Sequence, residues 1–191
     1  MKKTLKSKLA GPVLFIVVAL LLLFFAYKCY DNSRSVSEDA YDELIIDAAK
    51  RNGIEPSLVK AVIKRESSFK KNAKGKAGEI GLMQLMSGAV TDWAKTNKKF
   101  KPLKFQLYDP KTNIEIGTWY LAHCRKRYDG YVSKEILGLA EYNAGYSRVK
   151  KWKPEDPNTE FKIEDIGIES TQQYVAKILE YRQKYLDLDQ R

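Results

Sequence analysis

From about residue 38 to the C-terminus, apolar residues recur at three- and four-residue spacing in one segment after another. No stretch alternates apolar with polar residues long enough to make a convincing strand. This pattern commits the larger part of the chain to a mostly α fold without internal repeats. In "SEDAYDELIIDAAKRNG", Leu44, Ile45, Ala48 and Ala49 share one face and Gly53 marks the end; "PSLVKAVIKRE" opens with Pro56 in a first-turn position. "DPKTNIEIGTWYLAHCRKRY" begins at an Asp109 cap followed by Pro110. Ile114, Gly117, Leu121, Cys124 and Tyr128 then follow at helical spacing, which assigns Cys124 to the core. Further helices are expected from about Ser133 to Tyr142, through "YSRVKKW" and through "TQQYVAKILEYRQKYL", with the Pro-containing "KPEDPNTEFKIEDIG" as a loop.

The N-terminal part has a different character. Residues 1–8, "MKKTLKSK", are basic, and Leu9 to Tyr27 is an uncharged run of 19 residues. As a helix that run would be about 28 Å long, close to the roughly 30 Å hydrocarbon core of a bilayer. It is longer than the apolar region of a secretory signal and is followed directly by "KCYDNSRS" rather than a small-residue cleavage site, so an uncleaved single transmembrane helix is expected. Lys2, Lys3, Lys6 and Lys8 outnumber Lys28 and Arg34, which places the N-terminus in the cytoplasm and the following domain outside the plasma (inner) membrane. The expected organisation is a cytoplasmic segment (1–8), an anchor (9–27), a linker (28–37) and one folded domain (38–191).

Charge and composition exclude several functions. The net charge of +10 divides into +5 for residues 1–35 (six Lys or Arg, one Asp) and 28 − 23 = +5 for residues 36–191. No long basic block or aromatic-basic motif of the nucleic-acid-binding kind is present, so no nucleic-acid partner is expected. Cys29 and Cys124 lie in unlike surroundings and suggest no disulfide framework. With one histidine, His123, and no Cys/His cluster, neither a zinc site nor a Ser-His triad has enough parts, and no cofactor is expected. Carboxylate chemistry remains.

One carboxylate stands out. On a helical wheel Leu58, Val62, Glu66, Val59 and Ile63 fall in order across an arc of about 140°, so Glu66 lies inside the apolar stripe. Lys60, Lys64, Ala61 and Arg65 fill the other arc. Two readings stand open: a buried ion pair with some cation, or a carboxyl group held protonated. Burial and a position near the negative end of a helix both push its pKa upward, which would make it a general acid. Downstream, "GKAGEIGLMQLMSG" reads as a Gly-rich loop turning into a helix near Ser87, either a buried turn or a ligand cradle. In "LAEYNAGYSRVKKW", Tyr142 is a core aromatic or a site residue, and Asn143 precedes a helix end at Gly145.

Taken in order, "ESSF" (66–69), "GEIGLMQLM" (78–86), "DPKTNIEIGTWYL" (109–121), "AEYNAGYSRVKKW" (140–152) and "TQQYVAKIL" (171–179) resemble the lytic transglycosylases of the soluble type. The resemblance covers about residues 38–188. It implies a lysozyme-like fold and a peptidoglycan glycan strand as substrate, cut between N-acetylmuramic acid and N-acetylglucosamine with a 1,6-anhydromuramic product. It further implies Glu66 as the single catalytic acid, Gln84 and the Met83 backbone lining the cleft, Tyr142 close to Glu66, and Tyr174 contributing from the last helix. Ser67 and Asn143 match positions of structural use. The chain departs from the family at Gly75-Lys76, where relatives usually have Ser-Pro, and at Ser87, an acceptable helix cap where relatives often have Pro. It departs again at Ser170, where relatives often have Glu and this chain's acid is Glu169. Two other functions stay open: a muramidase using a second carboxylate such as Glu79, Asp92 or Glu169, and a membrane-tethered peptidoglycan-binding scaffold without turnover.

Overall fold

The computed structural model describes residues 13–26 and 37–191, and the chain falls into two units, Met1–Ser37 and Glu38–Arg191. In the first, residues 13–26 form helix α1, whose large apolar side chains are exposed. The described part of α1 covers about 21 Å at 1.5 Å per residue. No helix among the described residues is long and apolar enough to cross a membrane, so the transmembrane helix expected over 9–27 is not shown. Residues 9–12 and 27 of that span, together with Cys29 and residues 28–36 of the linker, lie outside the described residues.

The second unit is helical as expected: α2 (Asp42–Asn52), α3 (Pro56–Ser67), α4 (Ser87–Thr96), α5 (Pro110–Lys126), α6 (Lys134–Ala144), α7 (Tyr146–Trp152) and α8 (Glu169–Lys184), with short 3-10 turns at Lys104–Tyr108, Ile163–Asp165 and Leu186–Gln190. Its β structure, among the described residues, is limited to isolated bridges pairing Ile80 with Lys74 and with Leu85. The sequence signals act as read. Gly53 ends α2 in the left-handed conformation, Pro56 opens α3, and Asp109 caps α5 by accepting from the Thr112 amide at 2.9 Å. The exception is Ser87, which is the first helical residue rather than the cap; its hydroxyl accepts instead from Lys101 Nζ at 2.8 Å.

Helix α3 is buried along much of its length, packed on α8, α2 and the C-terminal turn. Leu58, Val59, Ala61, Val62 and Ile63 have no exposed surface. The arc opposite Glu66 meets solvent only in part: Arg65 is exposed and Lys64 half-buried, but Ala61 and Lys60 are buried. Lys60 is 3% exposed, held by Asp39 and Asp42 at 2.7 Å each and set over the Tyr185 ring at 5.0 Å. The helical wheel could not show this, because the acids come from the first residue of α2 and from just before it, and the ring from the residue after α8. That end also ties down the start of α3: Asp189 accepts from the amide and hydroxyl of Ser57, both at 2.7 Å, supplying the carboxylate that an exposed helix N-terminus lacks. With so little freedom at its start and along its sides, α3 fixes the position of its last turn, where Glu66 sits.

Candidate active site

Glu66 is the penultimate residue of α3, partly buried, and its Oε1 accepts from the Tyr174 hydroxyl of α8 at 2.6 Å. No cation forms an ion pair with it among the described residues. The buried ion pair, one of the two readings open on the sequence for Glu66, is therefore not found among the described residues. Burial pushes its pKa up to about 7; the Tyr174 hydrogen bond and the Arg65 charge oppose the rise, and the Glu79 charge adds to it. Arg65 stacks over the Tyr174 ring at 5.3 Å rather than on the carboxylate. After Ser67, whose hydroxyl bonds back to the Ile63 carbonyl at 3.2 Å, Ser68 and Phe69 adopt left-handed conformations and the chain turns out of the helix with Phe69 buried.

The Gly-rich segment then folds back toward α3 and α5. Its anchor is Asn113 of α5, fully buried, whose side chain accepts from the Met83 amide at 2.8 Å and donates to the carbonyls of Ile80 at 2.9 Å and Leu107 at 2.7 Å. Gly81 makes this possible: its φ is +81°, and a Cβ there would lie 2.2 Å from the Asn113 amide nitrogen. Met83 is itself fully buried, and its carbonyl accepts from the Tyr142 hydroxyl of α6 at 2.8 Å. Both backbone polar groups of Met83 are thus engaged inside the protein. Gln84 follows with φ +48° and its amide donating to the Gly81 carbonyl at 2.9 Å.

Gln84 and Tyr142 line one cavity of about 340 Å³ together with Met86, Asp92, Tyr120, Asn143 and Gly145, the rings of Tyr120 and Tyr142 being 5.6 Å apart. The Glu66 charge bears on both Tyr142 and Tyr174, and burial keeps both phenols well above their ordinary pKa, so each remains a hydrogen-bond donor across the physiological range. At residue 75 a Cβ would lie 2.1 Å from Glu79 Oε2 and 2.9 Å from Gln84 Oε1, both ends of flexible side chains; the Glu79 carboxylate, which also accepts from the Ala77 amide at 3.0 Å, occupies that space here. Glu169 is exposed at the start of α8 and accepts from Gln173. Asn143 accepts from the Thr171 hydroxyl at 2.8 Å, a structural tie between α6 and α8.

The structure thus brings Glu66 to Tyr174, Met83 to Tyr142, and Tyr142 and Gln84 to one cavity. Sequence reasoning missed Asn113, and it missed Glu141, which is 2% exposed and receives the Tyr128 hydroxyl at 2.6 Å and Arg127 Nε at 3.0 Å. Both lie on apolar stripes, the signal that singled out Glu66. Because the Tyr174 hydrogen bond holds the Glu66 pKa down, Tyr174→Phe is expected to raise it above about 7. The basic limb of kcat/KM should move to higher pH as the acid form persists further; a pH–rate profile reads this, and an unmoved or lowered limb contradicts the assignment.

Residues 43–164 match the family model of the transglycosylase SLT domain. The chain is 31% identical over 167 residues to a soluble lytic murein transglycosylase of Salmonella typhimurium, covering 84% of this chain and 25% of that protein. It is 30% identical over 185 residues to membrane-bound lytic murein transglycosylase C of Actinobacillus pleuropneumoniae, covering 86% and 51%. The lytic transglycosylase Slt of Pseudomonas aeruginosa, solved as an inactive mutant, superposes with a TM-score of 0.69 at 30% identity over 77% of this chain and 24% of that one. The 70 kDa soluble lytic transglycosylase of Escherichia coli gives the same TM-score at 31% identity and the same shares. The fold of residues 38–191 is therefore the lysozyme-like transglycosylase fold, and the chain spans about a quarter of the length of the soluble relatives.

Proposed function

The chain belongs to the transglycosylase SLT family, and from that premise we propose that it is an enzyme, a peptidoglycan lytic transglycosylase with Glu66 as its catalytic acid and base. The observation that carries the proposal is the Glu66 carboxyl group: partly buried, unpaired by any cation among the described residues, its pKa raised to about 7, hydrogen-bonded by Tyr174 and close enough for its charge to bear on Tyr142, although Glu66 itself does not line the Tyr142 cavity. A carboxylic acid poised there can donate at neutral pH and still give a carboxylate able to take a proton back. Glu66 protonates the glycosidic oxygen as the bond from muramic C1 breaks and the N-acetylglucosamine end leaves with its 4-hydroxyl. The Glu66 carboxylate then removes the C6 hydroxyl proton as O6 closes onto C1, giving the 1,6-anhydro end. One carboxylate acting twice replaces the usual pair. Gln84 and Tyr142 line the sugar cleft, and Met83 serves through its carbonyl, which sets the Tyr142 hydroxyl. Tyr174 orients Glu66. No cofactor takes part.

A second reading rests on Glu79, whose charge bears on Glu66: with that carboxylate activating water, the same cleft would belong to a hydrolase. Product analysis separates the two. Anhydromuramic ends are lighter by one water and resist borohydride, whereas reducible ends that take heavy oxygen from labelled water mean hydrolysis. Glycan bound without any cleavage leaves the scaffold function.

We also read residues 9–27 as a membrane anchor, with 1–8 cytoplasmic, 28–37 a linker and 38–191 outside the inner membrane. Support comes from the uncharged run, the four N-terminal lysines and the membrane-bound relatives. Protease added to wall-stripped cells should digest the domain and leave the anchor, while a mature protein in the medium beginning beyond Tyr27 would mean a cleaved signal.

A further inference from the structure

Three large apolar side chains within six residues stand in solvent on the segment joining α4 to α5: Phe100 is 99% exposed, Leu103 62% and Phe105 70%. The segment is not slack. The Lys99 amide donates to the Ala94 carbonyl at 2.9 Å, Lys99 Nζ lies over the Trp93 ring at 5.2 Å, the Leu103 amide donates to Gln106 Oε1 at 2.8 Å, and Leu107 is buried beneath. A fixed backbone therefore holds the apolar tips outward, against the general tendency of such side chains to be covered.

The company they keep identifies the cover. Residues 97–108 hold four lysines (Lys98, Lys99, Lys101 and Lys104) and no acid. A carbohydrate surface would need amides, hydroxyls or carboxylates beside the rings to meet sugar hydroxyls, and the amide oxygen of Gln106 is already engaged by the Leu103 backbone. The buried centre of a protein interface is depleted of lysine. Apolar tips flanked by ammonium groups match instead a bilayer surface, where rings enter the acyl boundary and lysines reach phosphates; Lys101, which donates to the Ser87 hydroxyl, keeps two further N–H donors for them. The cationic character continues beside the segment: Lys99 and Lys111 line a cavity of about 390 Å³ with Trp93 and Thr112, and there the Glu115 carboxylate is paired with Arg51.

We propose that Phe100, Leu103 and Phe105, with Lys98, Lys101 and Lys104, form a surface that docks the domain on an anionic lipid bilayer. The surface contains none of the residues assigned to catalysis, so its role stands or falls apart from that of Glu66. The test uses the full chain carrying Cys29→Ser, with Phe105→Cys bearing an environment-sensitive dye; Cys124 is fully buried and escapes labelling. In proteoliposomes of equal parts phosphatidylglycerol and phosphatidylcholine at low salt, the dye should shift to the blue and be quenched by nitroxide-bearing lipid. Both signals should be lost in phosphatidylcholine alone, at high salt, and on adding Lys98→Gln, Lys101→Gln and Lys104→Gln, while the same dye at Lys151→Cys stays unshifted. No shift with phosphatidylglycerol, an equal shift in phosphatidylcholine, or a shift that appears only when soluble glycan strands are added would each overturn the proposal, the last by making the surface a glycan contact.

Discussion

Glu66→Gln is expected to lower glycan cleavage by at least the roughly 10²- to 10⁴-fold that general acid-base catalysis contributes, and to make the protein more stable above neutral pH. Both effects follow from one group. The amide keeps the shape of the side chain, and its oxygen still accepts from the Tyr174 hydroxyl, which donates to Glu66 at 2.6 Å in the native protein, so α3 and α8 stay in register. What is lost is the transferable proton. The stability effect has a definite sign. The carboxyl pKa is about 7 in the folded protein against an ordinary 4.5, so between those values the folded state holds a proton that the unfolded chain has released. Wild-type stability therefore falls as pH rises through that window, by at most about 3 kcal/mol once both states are ionised. The substituted amide does not titrate. The gap in melting temperature between variant and wild type should thus open from about pH 4.5 and level off above about pH 7. Near-normal turnover by the folded variant removes Glu66 from catalysis, and a stability gap independent of pH means that the carboxyl is not held protonated.

The pattern that pointed to Glu66 also explains where reading the sequence stops. An acid on an apolar stripe is legible from spacing, and Glu66 and Glu141 satisfy it equally. Their difference lies in partners supplied from other elements: Arg127 and Tyr128 of the turn after α5 neutralise and bind Glu141, while Glu66 meets only a phenol from α8, 108 residues further along the chain. Such pairings arise from packing, which spacing does not encode. Helix starts and stops were legible because their causes are local, as at Gly53, Pro56, Asp109 and Gly145. The burial of Lys60 is hidden from spacing for the same reason as that of Glu141: Asp39, Asp42 and Tyr185 converge on it from both ends of the domain. Gly75 reads from sequence as a lost serine contact; only the fold places the Glu79 carboxylate in the space a side chain would need.

Asn113→Leu should cost about 3 to 5 kcal/mol of stability and most of the activity, although residue 113 contributes nothing to the cavity lining. Leucine branches at the same carbon as asparagine and suits a helix, so the substitution opens no hole. It leaves the Met83 amide and the Leu107 carbonyl without their Asn113 partner, and the Ile80 carbonyl with the Leu85 amide at 2.9 Å, in a region with no exposed surface at Asn113 or Met83. An unsatisfied buried polar group costs about 1 to 3 kcal/mol, and with two created at once and a third bond lost at Ile80 the segment gains by moving to admit water. Movement there reaches the chemistry in two steps: Met83 carries the carbonyl that receives the Tyr142 hydroxyl, and Gln84 is the next residue into the cleft. Urea unfolding should show a lower midpoint. The surviving folded fraction should have reduced kcat; its pH profile should keep the rise that burial gives Glu66, because α3 and Tyr174 lie outside the disturbed segment, and shift only by the lesser contribution of the Glu79 charge. Asn113→Asp is the sharper comparison. It retains an acceptor for the Met83 amide but turns a carboxylate toward two carbonyls, so it should be no better than leucine. If either variant unfolds at the wild-type urea concentration, the loop is held by something other than this side chain.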